Sequence, residues 1–443
     1  MLTSQFILSI LPQHTEKIYL AFSGGKDSHV LLHLLSSIPD IRHKVTAVYV
    51  NHGLQSEALA WEKHCQAIAL GVHVDFHCLT VNAHKEPRQS QEEVARNARY
   101  QALQPLLAEK DVLLLAQHQE DQLETVLLQL FRGAGVQGLA GMPLSTGFGK
   151  GQMIRPLLDV SQAAISAYAE QHNLHWIEDP SNQDNTFDRN FLRNQILPQL
   201  KQRWPALDKT VSRAARHCAQ SHFLNADLSR QLLHPLYDKE DQSLAIQPLL
   251  ELDDNQQYLV IRQWFAMLHL RMPSEKTVIT IVAEVLGAKP SANPEIKNKR
   301  YCIKRYRKKL YCFKADTMPR EEGEQHWKKG FEQLALKHST LTLCRASTGI
   351  SRALWDSSTV WVRFRKGAEK IQLPGRQGHH TLKKLFQEIA MPPWERGSIP
   401  LIYMNGELAA VADLWVSADF MCDSEEECLQ FKWNRTNAAQ EVK

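Results

Sequence analysis

Runs of strand formers alternate with helical spacing over the first half of the chain, and no other feature restricts its fold as strongly. Lys17 to Phe22 reads as a strand, and Asp27 to Ser36 follows it with helical spacing. Val45 to Val50, Val72 to Val81 and Val112 to Ala116 repeat the strand pattern, with helices expected near Glu57 to Leu70 and Gln91 to Lys110. Strands separated by helices pair in parallel, with helices on both faces of the sheet, and their ligand lies beyond the strands' carboxyl ends. One more helix is expected over Asp121 to Phe131. There Leu123, Val126, Leu127 and Leu130 share an apolar stripe, while Gln122, Glu124, Thr125 and Gln129 face away from it. Glycines at 133, 135, 138 and 141 then force a loop that Pro143 helps to end.

From Arg203 onward the pattern changes to long polar helical segments, with strand signals only near Tyr301 to Phe313. A charged stretch from Met318 to Gly330 marks a second change, and a helix-poor tail ends near Trp433. A chain of 443 residues exceeds what one hydrophobic core supports. The division expected is residues 1–215, a mainly helical middle domain over 216–325, and a small α+β domain over 340–443.

Composition narrows the class without naming it. Lysine and arginine number 52 against 48 acids, a net charge of +4, so only the distribution of charge can indicate a nucleic-acid partner. No two of the eight cysteines have Cys-x-x-Cys spacing, which argues against a zinc ribbon or an iron-sulfur site built on such pairs. Met1 to Pro12 lacks a basic leader and a small-residue cleavage site, and no stretch has the length to cross a bilayer. A reducing, cytoplasmic location without membrane attachment is the expectation.

The most informative residues are Ser23-Gly24-Gly25-Lys26-Asp27-Ser28, placed where the first strand turns into a helix. Backbone N–H groups at a helix start point outward and, with the helix dipole, bind phosphate oxygens; glycines let the backbone approach closely. This is not a Walker loop, because Leu20 stands where that pattern needs glycine and Asp27 where it needs Ser or Thr. A carboxylate beside phosphates is repulsive unless a cation lies between, so Asp27 implies a shared magnesium ion. The competing reading is a plain turn with Asp27 and Ser28 as capping residues.

Ser-Gly-Gly-x-Asp-Ser after a first strand resembles the PP-loop of the N-type ATP pyrophosphatases, which cut ATP between its α and β phosphates. Further stretches are similar to those of tRNA(Ile)-lysidine synthases. They are Val50-Asn51-His52-Gly53-Leu54, Glu93-x-Ala95-Arg96-x-x-Arg99-Tyr100 and His118-Gln119-Glu120-Asp121-Gln122-x-Glu124-Thr125. Arg132-Gly133-x-Gly135-x-x-Gly138, Arg155-Pro156-Leu157-Leu158, and Asp179-Pro180-Ser181-Asn182 through Arg189-Asn190-x-x-Arg193 follow. In the tail, Pro374-Gly375 through Phe386 and Pro392-Pro393-Trp394-Glu395-Arg396 complete the match. Where the family commonly has paired aspartates, this chain has Glu120-Asp121.

The resemblance implies a Rossmann-like PP-loop ATPase domain of the adenine nucleotide α-hydrolase type, a helical middle domain and an α+β tail. It implies that lysine is joined to C2 of the wobble cytidine in a tRNA(Ile) with anticodon CAU. The C2 oxygen attacks the α phosphorus of ATP, pyrophosphate leaves, and the lysine amine then displaces AMP. Codon reading thereby changes from AUG to AUA and amino-acid identity from Met to Ile. The expected partners are ATP, magnesium, free L-lysine and the tRNA; a homodimer is left open. The catalytic set is Asp27, Asp121 and Lys26. Ser23, Gly24, Gly25, Lys26, Asp27, Ser28 and His52 are expected on the nucleotide, with Asp27 on the metal. Arg96, Arg99, His118, Glu124, Arg132, Arg189 and Arg193 are expected on the other substrates. Asp121 also suits a helix N-cap, His118 and His52 suit satisfied polar groups, and Arg96 and Arg99 suit a solvated face paired with Glu92 or Glu93.

Lys297, Lys299, Arg300, Lys304, Arg305, Arg307, Lys308 and Lys309 crowd thirteen residues without an acid, among Tyr301, Tyr306 and nearby Tyr311. That is the footprint of a phosphate backbone, with tyrosines to stack on unpaired bases; Arg300 and Arg305 are its representatives as substrate contacts. The other reading is a strand edge kept basic against aggregation. A 2-thiolase would need cysteines differently placed, and a catalytically silent RNA-binding module would have no use for Asp27 and Asp121 together.

Overall fold

The computed structural model describes residues 2–51, 58–81, 91–289, 292, 294–315, 323–422 and 427–435. They form two compact units, Met1–Ala226 and Asp227–Lys443.

In the first unit β1 (Ile18–Ala21), β2 (Val45–Asn51), β3 (Asp75–Thr80), β4 (Val112–Leu114), β5 (Ser145–Phe148) and β6 (Gly151–Ile154) form one sheet in the order β3-β2-β1-β4-β6-β5. All neighbours are parallel except the β5–β6 hairpin. The intervening helices are α1 (Lys26–Ser36), α2 (Ala58–Gly71), α3 (Gln91–Leu103), α4 (Gln119–Phe131) and α5 (Gln162–Gln171). Strand alternation divides the core. Ile18, Leu20, Val112 and Leu114 pack with Val30, Leu31, Leu34 and Leu35 of α1 on one face. Leu113 and Val48 pack with Leu103 and Met153 on the other.

The chain runs outward from β1 through β2 to β3, then crosses to β4 on the far side of β1. The crevice between the carboxyl ends of β1 and β4 is therefore the topological switch point, where such sheets bind ligands. A helical segment α6 follows: Asp188–Phe191 continues through a π turn, Leu192–Ile196, into Leu197–Arg203. The long helix α7 (Leu207–Leu233) comes next. Helix α4 departs from its expected stripe. Leu123 and Val126 are buried, but so are Gln122 and Glu124, while Leu130 is 53% exposed. Its first turns sit in the core over the switch point and its end leaves it.

The second unit holds helix α8 (Asp254–Met267) against a four-stranded antiparallel sheet of β7 (Leu244–Ala245), β8 (Glu295–Lys297), β9 (Tyr301–Tyr306) and β10 (Lys309–Lys314). Trp264, Phe265, Ile281, Ile303 and Leu310 lie in its core. Beyond it are two five-stranded sheets, one centred on Pro400–Met404 and the other on Cys428–Arg435, packed around Trp327, Trp355 and Phe431. The strand Glu324–Trp327 lies inside the stretch read from sequence as a domain boundary. No described helix is long and apolar enough to cross a membrane.

Candidate active site

The loop after β1 is shaped by one glycine and left open by the other. Gly24 has φ +78°, and a Cβ there would lie 2.8 Å from Cys65 Sγ, so no other residue fits without strain. Its carbonyl accepts a bond from Ile177 N at 3.0 Å. Gly25 is the N-cap of α1 with φ −74° and makes no side-chain cap, so the first amides of the helix remain available to an anion. Ser28 braces the turn: its Oγ donates to the Gly25 carbonyl at 2.9 Å and lies 3.2 Å from Ser23 Oγ.

The turn after β4 faces this loop. His118 is the N-cap of α4: its Nδ1 accepts from Glu120 N at 3.2 Å, while its own N–H donates to Asp121 Oδ2 at 3.0 Å. Accepting on Nδ1 places the imidazole proton on Nε2. That nitrogen lies 3.4 Å from Asp121 Oδ2 and 3.7 Å from Asp27 Oδ2. His118 is thus both a satisfied polar group and a bridge between two acids, and Asp121 both caps the helix and lines the cleft. Burial is the main cause of a raised Asp27 pKa. His118, Lys26 and a hydrogen bond with Gln162 oppose that shift, and the like charge of Asp121 adds to it. A carboxylate such as Asp27 beside uncapped amides fits a magnesium ion, which takes one or two carboxylates and draws its other ligands from phosphate and water. Among the described residues no cluster of three or more His, Cys, Asp or Glu side chains suited to a metal exists.

A cleft of about 380 Å³ opens here, within the size range of small-molecule sites. Ser23, Gly25, Asp27, Ser28, Arg96, Arg99, Gln117, Asp121 and Arg189 are among its walls. The arginines one turn apart on α3 therefore share a cavity with the acids, and Arg96 lies over the Tyr100 ring, 5.3 Å from its centroid. Pairing with Glu92 or Glu93 concerns side chains outside the described set, and so does His52.

The geometry places several of the expected residues away from the cleft or ties them up within the protein. Glu124 does not face the cleft: it is fully buried, with Arg193 Nε 2.6 Å from Oε1, Arg193 Nη2 3.0 Å from Oε2 and Arg189 Nε 3.2 Å from Oε2. Arg193 also holds Asp121 Oδ1 at 3.0 Å, so it is engaged within the protein and fixes that acid. Burial works against its charge, but the Glu124 and Asp121 carboxylates prevail and raise its pKa. Arg189 bonds Thr125 Oγ1 at 2.9 Å and still borders the cleft. Lys26 turns away from it: Nζ donates to Ser166 Oγ at 2.8 Å and sits over the Trp176 ring, because successive helical residues point about 100° apart. Arg132 is an exposed C-cap at the far end of α4. Glu120, the departure from the paired aspartates, pairs with Lys201, which also meets Asp208 at 3.0 Å.

The basic stretch of the second unit is divided between surface and interior. Arg300 is exposed. Arg305 is buried, and its Nη1 donates to the carbonyls of Val285, Leu286 and Ala288 at 3.2, 2.9 and 2.7 Å, closing the end of a helical π turn, so its guanidinium is engaged within the protein. Lys309 is tied to Asp238 and Asp241 at 2.6 and 2.9 Å. Tyr301 and Tyr311 are buried, the first against Phe265, so they are core residues and not stacking platforms.

Sequence reasoning gave no role to Gln117, Tyr100, Gln162 or Arg155. Tyr100 and Arg155 carried a signal, in the Glu93-x-Ala95-Arg96-x-x-Arg99-Tyr100 and Arg155-Pro156-Leu157-Leu158 stretches, and nothing in the second shows that the Arg155 guanidinium is buried beneath the cleft.

Uncapped amides and acids lie together where the strand order reverses, and residues 2–200, which hold them, match the model of the PP-loop domain, a class of ATP-using enzymes. Residues 244–311 match that of the TilS substrate binding domain and residues 360–433 that of the TilS substrate C-terminal domain. Curated relatives named tRNA(Ile)-lysidine synthase are similar over nearly the whole length. The chain is 38% identical to that of Coxiella burnetii, with 94% of this chain and 92% of the relative covered. It is 40% identical to that of Photobacterium profundum, with 95% and 98% covered. The chain belongs to the tRNA(Ile)-lysidine synthase family, and ATP is its nucleotide substrate.

Proposed function

We propose that this chain joins free L-lysine to C2 of the wobble cytidine of a tRNA(Ile) bearing the anticodon CAU, through an adenylated tRNA, with ATP giving AMP and pyrophosphate. The observation that carries the reading is the pair Asp27 and Asp121, both within 4 Å of His118 Nε2 and beside the uncapped start of α1. The family membership supplies the reaction, and the cleft supplies groups suited to each of its steps.

The free amides at the start of α1 bind the triphosphate, and Arg96, Arg99 and Arg189, which line the same cleft, offset its charge. Asp27 would hold magnesium, which when bound neutralises charge that builds on the phosphates as pyrophosphate departs. In the coupling step the lysine side chain, with a reference pKa of about 10.4, must shed a proton before its amine can attack C2. Asp121 is the acid placed to hold that ammonium and take the proton. Arg193 and His118 fix its two oxygens, so it meets the amine in one orientation.

Incubation with ATP, magnesium, labelled lysine and CAU-anticodon tRNA(Ile) tests the reading. Label that enters the tRNA and resists the mild base that strips aminoacyl esters is the expected result; label lost in base would reject modification of the nucleobase.

A further inference from the structure

Gln117 lines the cleft between the two acids and the arginines, and a buried arginine decides which way its amide faces. Arg155 lies beneath it, 5% exposed, with Nη1 on the Pro143 carbonyl at 2.8 Å and Nη2 on Met153 Sδ at 3.2 Å. Its Nε donates to Gln117 Oε1 at 2.5 Å. A guanidinium has donors only, so the amide oxygen must point at it. The NH2 is then the group that Gln117 presents to the cleft, and among the described residues no hydrogen bond of that nitrogen is found.

We propose that Gln117 is a specificity-determining residue whose amide N–H donates to N3 of the target cytosine. The proposal rests on the reaction given above. Single-stranded bases are read by hydrogen bonds to their Watson–Crick edge, and cytosine presents acceptors at O2 and N3 where uracil has a donor at N3. A fixed donor therefore favours cytosine and leaves uracil with two donors opposed. Phosphate is the poorer occupant: the amides of α1 already offer it a charged-ligand site, and Gln117 is neutral and adjoins Asp121, whose charge repels phosphate.

Gln117→Glu is the informative variant. A carboxylate at this position keeps the bond to Arg155, now as an ion pair, and exchanges the donor facing the cleft for an acceptor. Pyrophosphate release is measured with the full chain, magnesium and ATP, on tRNA(Ile) transcripts carrying cytidine or uridine at the wobble position. Wild type is expected to prefer cytidine. In Gln117→Glu the kcat/KM for the cytidine transcript should fall roughly five- to tenfold, the net worth of one hydrogen bond, and the acceptor should shift the preference toward uridine. Gln117→Met, which has no donor and only a weak acceptor, should show the same fall without that gain toward uridine, and because it adds no charge the KM for ATP should stay unchanged. If Gln117→Met raises the KM for ATP instead and the preference between bases holds, the donor serves phosphate and the proposal is overturned. Wild-type kinetics in both variants overturn it as well. Absence of pyrophosphate release from the wild type with either transcript removes the proposed reaction itself, and this proposal with it.

Discussion

The cleft at the switch point and the β9–β10 hairpin are both rich in charge, and they use it in opposite ways. In the cleft, each internal bond serves to aim a group outward: Arg193 and His118 fix Asp121, Arg155 turns Gln117, and Gly24 shapes the loop so that the α1 amides stay open. In the hairpin, internal bonds take up much of the charge, while Arg307 and Lys308 at its tip stay exposed. Arg305 closes three carbonyls, Lys309 binds two aspartates, and Lys304 pairs with Glu295 at 3.5 Å. Charge density along a sequence therefore marks an interface poorly, whereas acids and glycines at fixed places around a strand end mark a site well.

The contrast can be broken first at its strongest point. Asp27→Ala should lower tRNA-dependent pyrophosphate release by about 10³-fold, the several kcal/mol that a metal-linked carboxylate contributes to a phosphoryl-transfer site. Near-normal release would make Asp27 a capping residue only. The next largest effect is on stability. Glu124→Ala strips a buried carboxylate from Arg193 and Arg189, and the urea midpoint should fall by the equivalent of about 3 kcal/mol. An unchanged midpoint would show that the pair is solvated and does not brace the cleft.

Asp121→Asn keeps a side chain that can cap α4 but loses the base. Lysine incorporation should drop on the order of 10²-fold while pyrophosphate release is largely kept. Equal loss of both would move Asp121 into the adenylation step. The smallest effect separates the two faces of the hairpin. Arg300→Gln should flatten the dependence of log tRNA affinity on log salt by about 0.7–0.9, one released counterion, whereas Arg305→Met should leave that slope alone and reduce stability. A reversed pattern would mean that the internal bonds of Arg305 give way when RNA binds.

What could be read beforehand follows the same division. Parallel β–α alternation and the loop at Ser23–Ser28 were legible because they rest on local patterns, apolar periodicity and glycine placement. The β5–β6 hairpin was not: Ser145–Phe148 is an edge strand, mostly exposed, and its Ser-Thr-Gly content has no apolar alternation. Side-chain direction was the other limit. Lys26 adjoins Asp27 in sequence yet faces Ser166, Glu124 lies one turn beyond Asp121 and ends in the core, and Arg305 occupies an inward strand position beside carbonyls freed by a π turn. Each depends on partners more than sixteen residues away, which no local spacing encodes.

The central claim is that the α phosphorus of ATP, held at the start of α1, is the atom attacked. ATP labelled at its α phosphate, incubated with the chain, magnesium, lysine and CAU-anticodon tRNA(Ile), tests it by product alone. Labelled AMP formed together with pyrophosphate, in step with lysine entering the tRNA, is the result predicted. Labelled ADP with inorganic phosphate would place the attack at the terminal phosphorus and contradict the account.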